Sequence, residues 1–173
     1  SIFDLTGKVA LVTGAGRGIG RGIAEELASQ GATIACASRT TEQLEEVAQS
    51  IRDAGGTAVS IPLDISDMAS LDQTLTAIDS EFGRLDILVN NAGMNARQPI
   101  DEVTEENYDR IMDVNLKGLY FLSQKAARYM KKNGAGKIIN IGSLTTGYAL
   151  AKVSVYTATK GVVGQLTKAQ AVE

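Results

Sequence analysis

The sequence has 173 residues, 44% of them hydrophobic and 21% charged, with a formal net charge of −3, one cysteine and no histidine. That length suits one domain with a real core, and the mildly acidic balance offers no basic stripe to a nucleic acid. The missing histidine removes His-based triads and the usual zinc sites, the single cysteine removes an internal disulfide, and no apolar run reaches membrane-spanning length, so the expectation is a soluble cytoplasmic protein with no metal.

Residues 1–7 form a short lead-in. Val9-Ala10-Leu11-Val12 is too continuously apolar for a half-exposed strand and predicts a buried one. Thr13-Gly14-Ala15-Gly16-Arg17-Gly18-Ile19-Gly20 follows, and then Ile19, Ile23 and Leu27 recur at a spacing of four, which predicts a helix ending near Gly31. A second strand spans 33–37 and encloses Cys36, which reads as a small core side chain. Thr40 and Gln43 have capping-box spacing ahead of a helix with Leu44, Val47, Ala48 and Ile51 on one face. Strand three, 58–63, closes at Asp64, and a helix carrying Leu71, Leu75, Ile78 and Phe82 stops at Gly83. Strand four, 85–89, runs into Asn90-Asn91-Ala92-Gly93. Thr104, with Glu105 and Glu106 behind it, predicts the start of one long helix to about Lys132. Strand five, 137–141, a polar loop, and a last helix from about Val155 complete the chain.

Strands and helices alternate throughout, with no linker, repeat or low-complexity segment. The reading is a single α/β domain, a doubly wound parallel sheet of Rossmann type. Ligands on such sheets sit beyond the carboxyl ends of the strands. Those ends carry Gly14, Ser38-Arg39, Asp64, Asn91-Ala92-Gly93 and Ser143.

The glycine run lets the chain turn tightly and bring backbone against a ligand, and the helix it opens offers unpaired N–H groups to a phosphate. Its spacing, Gly14-xxx-Gly18-x-Gly20, is wider than the common dinucleotide fingerprint. A glycine turn also serves as a plain strand-to-helix connection. Tyr156 and Lys160 are four apart on a predicted helix and share a face. An ammonium beside a phenol favours phenolate and makes the tyrosine a usable proton carrier. The same pair, taken alone, is an ordinary feature of helix surfaces.

Thr13-Gly14-xxx-Gly18-Ile19-Gly20, Asn90-Asn91-Ala92-Gly93, Ser143 and Tyr156-xxx-Lys160 occur in this order over essentially the whole chain. In this combination the sequence resembles the short-chain dehydrogenase/reductase family. That resemblance implies an NAD(P)-linked oxidoreductase acting on a carbonyl or secondary alcohol. Tyr156 would be the acid/base and would also touch substrate and cofactor, Ser143 would hydrogen-bond the reacting oxygen of the substrate, and Lys160 would support Tyr156 and hold the nicotinamide ribose. Asn115 matches the helix asparagine whose backbone carbonyl holds a relay water, and reads without the resemblance as a polar residue packed in the long helix. Gly14, Gly18, Ile19, Gly20, Asn91, Ala92 and Gly93 fall on cofactor-binding positions, and Asp64 with the Ile65 backbone on the adenine contact. Asp64 also reads as a strand-ending carboxylate.

Members specific for NAD usually carry an acidic residue after strand two. Ser38 stands there, with Arg39 beside it and Arg17 in the glycine loop. Two guanidiniums suit a 2′-phosphate, so the expected cofactor is NADP; both also read as solvated surface arginines. The stretches 95–99 and 139–144 are similar to the gluconate 5-dehydrogenase branch, which implies a keto-sugar acid as substrate. Arg97 stands where a cation could hold its carboxylate, and serves equally as a loop surface charge. The 3-oxoacyl-carrier-protein reductases share nearly all these motifs and are the alternative substrate class. A non-catalytic NADP-binding sensor is the alternative of another kind, disfavoured because Ser143, Tyr156 and Lys160 all stand. The resemblance further implies a homodimer or homotetramer. It also implies a sixth strand, a substrate lid, a further helix and a seventh strand after Glu173, so the 173-residue stretch is expected to lack the C-terminal part of the fold and to be inactive alone.

Overall fold

Five apolar runs become the parallel strands β1 (Val9–Thr13), β2 (Thr33–Ser38), β3 (Thr57–Pro62), β4 (Ile87–Asn90) and β5 (Lys137–Asn140) in the computed structural model, which describes residues 2–173. The sheet order is β3-β2-β1-β4-β5, all parallel. Every residue of β1 is buried, as its unbroken apolar character requires for a central strand covered on both faces.

Among the described residues six α-helices accompany the sheet: α1 (Gly18–Ser29), α2 (Thr41–Asp53), α3 (Met68–Phe82), α4 (Glu105–Met112), α5 (Leu119–Lys132) and α6 (Ser154–Gln170). Two cores result, one per face. Leu44, Val47, Ala48 and Ile51 of α2 pack with Ala24 of α1 on one side. Leu71, Leu75 and Ile78 of α3 pack with Leu122, Ala126 and Met130 of α5 on the other. The strand order reverses between β1 and β4, and this opens a crevice at their carboxyl ends.

Three local expectations are corrected. The long helix over 104–132 is interrupted: Asp113–Gly118 is a π-helical turn between α4 and α5. Its Asn115 is buried, and Gly118 passes so close to β3's following loop that a Cβ there would lie 2.2 Å from the Ile65 carbonyl oxygen. Thr40 does not cap α2 with its side chain. A capping box forms instead at Ser143 and Thr146, where a short 3₁₀ turn (Leu144–Thr146) follows β5. Ile19 is not part of the core face of α1; it is 69% exposed and faces the crevice.

At the opposite end of the sheet, Asp86 is buried and accepts hydrogen bonds from the Val9 N–H at 2.9 Å and from Arg84 Nε at 2.8 Å. Burial pushes its carboxyl up, but Arg84, the Val9 N–H and Lys8 outweigh this and hold it below the usual carboxylate range. A carboxylate held low stabilises the fold fully above its unfolded value and loses that contribution as pH falls through the folded one. Asp86→Asn is therefore expected to cost about 1–3 kcal/mol at pH 7. The gap from wild type should close on acidification below about pH 4. Urea melts at pH 7 and at pH 3 check this; a gap that widens at pH 3 contradicts it.

Candidate functional site

Thr13, at the end of β1, splices the two strands that border the crevice. Its hydroxyl accepts from the Asn91 and Ala92 N–H groups at 3.0 and 2.9 Å and donates to the Val89 carbonyl at 3.2 Å. Asn91 Nδ2 in turn donates to the Thr13 and Gly14 carbonyls at 3.0 and 3.2 Å. Gly14 takes φ +64°, and a Cβ there would meet Asn91 Nδ2 at 2.9 Å. Gly18, at φ +56°, has open space where its Cβ would be.

α1 begins at this loop without a capping side chain and without an acidic residue in its first turn. α3 and α4, by contrast, are capped by the Asp67 and Thr104 side chains. The first N–H groups of α1 thus remain available to an anion. Gly14, Gly18 and Gly20 border a cavity of about 510 Å3. Its far wall is Ser38, Arg39, Asp64 and Ile65, and its near wall Asn91, Ala92 and Gly93. Arg17 and Arg39 are exposed on its rim and form no ion pair within 4 Å among the described residues. The Asp64 carboxyl is held below its ordinary range by the Ser66 hydroxyl bond at 2.6 Å, against burial, with the Arg39 charge assisting. A glycine cradle, an open helix start and two unpaired guanidiniums suit a phosphorylated dinucleotide.

A second cavity of about 440 Å3 shares Ile19, Asn91, Gly93 and Met94 with the first, so the two form one crevice. Arg97, Ser143, Tyr156 and Lys160 line it. The expected strand end at Ser143 is instead the cap of the 3₁₀ turn. Ser143 Oγ accepts from the Thr145 N–H at 3.2 Å and the Thr145 hydroxyl at 3.1 Å, and its own proton is left to donate into the cavity. Lys160 is 6% exposed. Its Nζ donates to the Ile141 carbonyl at 2.8 Å and stands 5.8 Å from the centre of the Tyr156 ring. Burial lowers the Lys160 ammonium from its ordinary value. Arg97 is exposed and makes no ion pair within 4 Å among the described residues.

Asn115 lies behind this wall. Its side chain exchanges two bonds with the Met94 backbone, N–H to Oδ1 and Nδ2 to the carbonyl, both at 2.8 Å. The side-chain amide is thereby committed to the protein.

Sequence reasoning missed Gln43, Met94, Thr145 and Thr159. The spacing of Gln43 predicts a cap, yet its Oε1 would lie 3.3 Å from a Cβ at Gly16, on the first cavity. Thr145 is buried and orients Ser143. Its position two after Ser143 was the only sequence signal. Cys36 is fully buried, and burial pushes its thiol up to about 12, which leaves it inert.

Residues 8–173 match the family model for short chain dehydrogenases. The chain is 38% identical over 172 residues to gluconate 5-dehydrogenase of Gluconobacter oxydans, covering 99% of this chain and 67% of that protein. It is 43% identical over 171 residues to 2-dehydro-3-deoxy-D-gluconate 5-dehydrogenase of Bacillus subtilis, covering 99% and 66%. Among solved structures, a gluconate 5-dehydrogenase from Burkholderia cenocepacia in complex with NADP and tartrate superposes with a TM-score of 0.93 at 39% identity, covering 98% of this chain and 67% of that one. The chain thus spans about two thirds of the length of these relatives.

Proposed function

This chain belongs to the short-chain dehydrogenase family, and on that premise we propose that it is part of an NADP-dependent oxidoreductase that interconverts a carbonyl and a secondary alcohol, with a keto-sugar acid such as 5-ketogluconate as substrate. The observation that carries the reading is the single crevice running from Arg17 and Arg39 at one end to Ser143, Tyr156 and Lys160 at the other. The similarity to gluconate 5-dehydrogenases, one of them in complex with NADP, supports the cofactor and the substrate class.

Gly14, Gly18, Ile19 and Gly20 would carry the pyrophosphate against the start of α1. Arg17, Ser38 and Arg39 would hold the 2′-phosphate, Asp64 and the Ile65 backbone the adenine, and Asn91, Ala92 and Gly93 the nicotinamide ribose side of the crevice. When bound, the nicotinamide supplies or accepts the hydride. The protein's own part is to position the substrate and move the proton. In the reducing direction Tyr156 gives its phenolic proton to the carbonyl oxygen, while Ser143 donates to that oxygen and stabilises its developing charge. The Lys160 ammonium, anchored on the Ile141 carbonyl, would support Tyr156 and hold the nicotinamide ribose. Asn115 holds the wall behind Lys160 through its side chain and offers its backbone carbonyl to a relay water. Arg97 at the mouth would pair with the substrate carboxylate.

Two expectations follow from this reading. Consumption of NADPH should require the keto-sugar acid and be much slower with 3-oxoacyl thioesters. Turnover of only the thioesters would overturn the substrate class and leave the oxidoreductase reading standing. Arg39→Ala should raise the KM for NADPH about 10- to 100-fold, the loss of one charge-assisted phosphate contact, while leaving that for NADH within about threefold. Equal effects on both cofactors would remove Arg39 from the 2′-phosphate. The same reading includes a cytoplasmic homodimer or homotetramer. Tyr108 of α4 and Tyr120 of α5, 45% and 41% exposed, give those helices an outer aromatic surface for association.

A further inference from the structure

Thr159 is completely buried in α6, between Tyr156 and Lys160. Its hydroxyl donates to the Tyr156 carbonyl at 2.7 Å. Such a bond three residues back is an ordinary habit of threonine in a helix. The second bond is not local: the same oxygen accepts from Asn115 Nδ2 at 3.3 Å, across 44 residues. Asn115 in turn holds the Met94 N–H and carbonyl. Met94 lines both halves of the crevice. One hydrogen-bonded chain therefore runs from the loop after β4, through the π-helical turn, to the turn of α6 that carries Tyr156. Among the described residues, the Thr159 hydroxyl is the side-chain link in it between Asn115 and α6.

We propose that Thr159 is a positioning residue, which sets the Tyr156 turn against the Gly93–Met94 wall of the crevice through Asn115. Its catalytic meaning rests on the oxidoreductase reading above; its mechanical meaning does not. Removing the hydroxyl leaves one Asn115 N–H without an acceptor in a buried place, and the amide must either reorient or admit water. Either response loosens the two Met94 bonds. The ring of Tyr156 would then keep its packing but lose its registration with the bound cofactor. Reacting groups displaced by a fraction of an ångström lose rate rather than affinity.

The test compares Thr159→Val, which removes the hydroxyl at nearly constant shape, with Thr159→Ser, which keeps it, in the full-length protein. Both are normalised to the folded fraction by circular dichroism. Thr159→Val is expected to lower kcat about tenfold or more with the KM for NADPH within about threefold, and Thr159→Ser to restore kcat to within about threefold of wild type. Amide exchange at Met94 should be about tenfold faster in the Val variant and near wild type in the Ser variant. Wild-type kcat in Thr159→Val overturns the proposal, as does a loss that Thr159→Ser shares in full. If Thr159→Val does not fold, Thr159→Ala takes its place under the same criteria. If the wild-type protein turns over no carbonyl substrate, the oxidoreductase reading fails on its own. Met94 exchange then decides this proposal: faster in the Val variant supports it, unchanged overturns it.

Discussion

Tyr156→Phe is expected to lower kcat for NADPH-linked reduction by about 10³-fold, the worth of a positioned general acid. The substitution removes one oxygen and leaves the ring where it packs. The rim of the crevice at Arg17, Ser38 and Arg39, proposed to hold the 2′-phosphate, is untouched, so the Kd for NADPH should stay within about threefold of wild type. Steady-state rates together with a fluorescence titration of NADPH separate the two quantities. A variant that keeps more than a tenth of the rate would mean that the proton comes from elsewhere in the crevice. A variant that loses cofactor binding in parallel would make Tyr156 a binding group instead. Ser143 does not substitute for it, because the 3₁₀ turn directs two Thr145 donors onto its oxygen and equips it to donate its own proton, not to exchange one.

The second large effect concerns α1. A Cβ at Gly20 would lie 2.2 Å from the Gly14 carbonyl oxygen and 2.5 Å from Asn91 Nδ2. Those atoms belong to the junction of β1, α1 and the loop after β4, and the carbonyl is backbone that cannot swing aside. Gly20→Ala is expected to destabilise the protein by about 3 kcal/mol and to abolish NADPH binding, because relief of the clash must open the cradle. Gly22, two residues on in the same helix, is exposed and has nothing within 4 Å of its Cβ position. Gly22→Ala should therefore stabilise by about 0.5–1 kcal/mol, from helix propensity alone. Thermal melts of the two variants with and without NADPH check both signs. Equal effects would mean that propensity, not close approach, governs the loop.

Much of the fold was legible because it rests on local patterns. The apolar runs at 9–12 and 33–37 predict strands, the first of them buried, and β1 and β2 form there with buried side chains. Leu71, Leu75 and Ile78 share a helical face, and that face is buried. Gly83 ends α3 in the left-handed conformation that its position suggests. The errors are equally local in origin. Spacing at Thr40 and Gln43 satisfies the capping-box pattern, but the pattern does not know that Gln43 lies against Gly16 and the crevice. The apolar repeat through Ile19 includes a residue that belongs to the first turn of α1, beyond the carboxyl end of β1, where an apolar side chain meets the cavity. The π-helical turn leaves no mark in composition, since 113–118 reads as ordinary helix, and its close approach at Gly118 is to Ile65, 53 residues away.

Motif order along the chain points to Gly14, Ser38, Arg39, Asp64, Asn91, Gly93, Ser143, Tyr156 and Lys160 on the crevice, since each strand end delivers its own short polar group, but not to Gln43, Met94 or Thr145. Nothing in that order says how the groups bind one another. The chain from Met94 through Asn115 to Thr159 joins positions 21 and 44 residues apart. Asp86 accepts from Val9 across 77 residues. Strand and helix periodicity, turn glycines and the alternation that makes the sheet parallel are encoded between near neighbours, so they are written in the sequence itself. Which buried donor finds which acceptor depends on where separate elements dock, and for Thr159, Asn115 and Asp86 only the packed sheet and helices decide it.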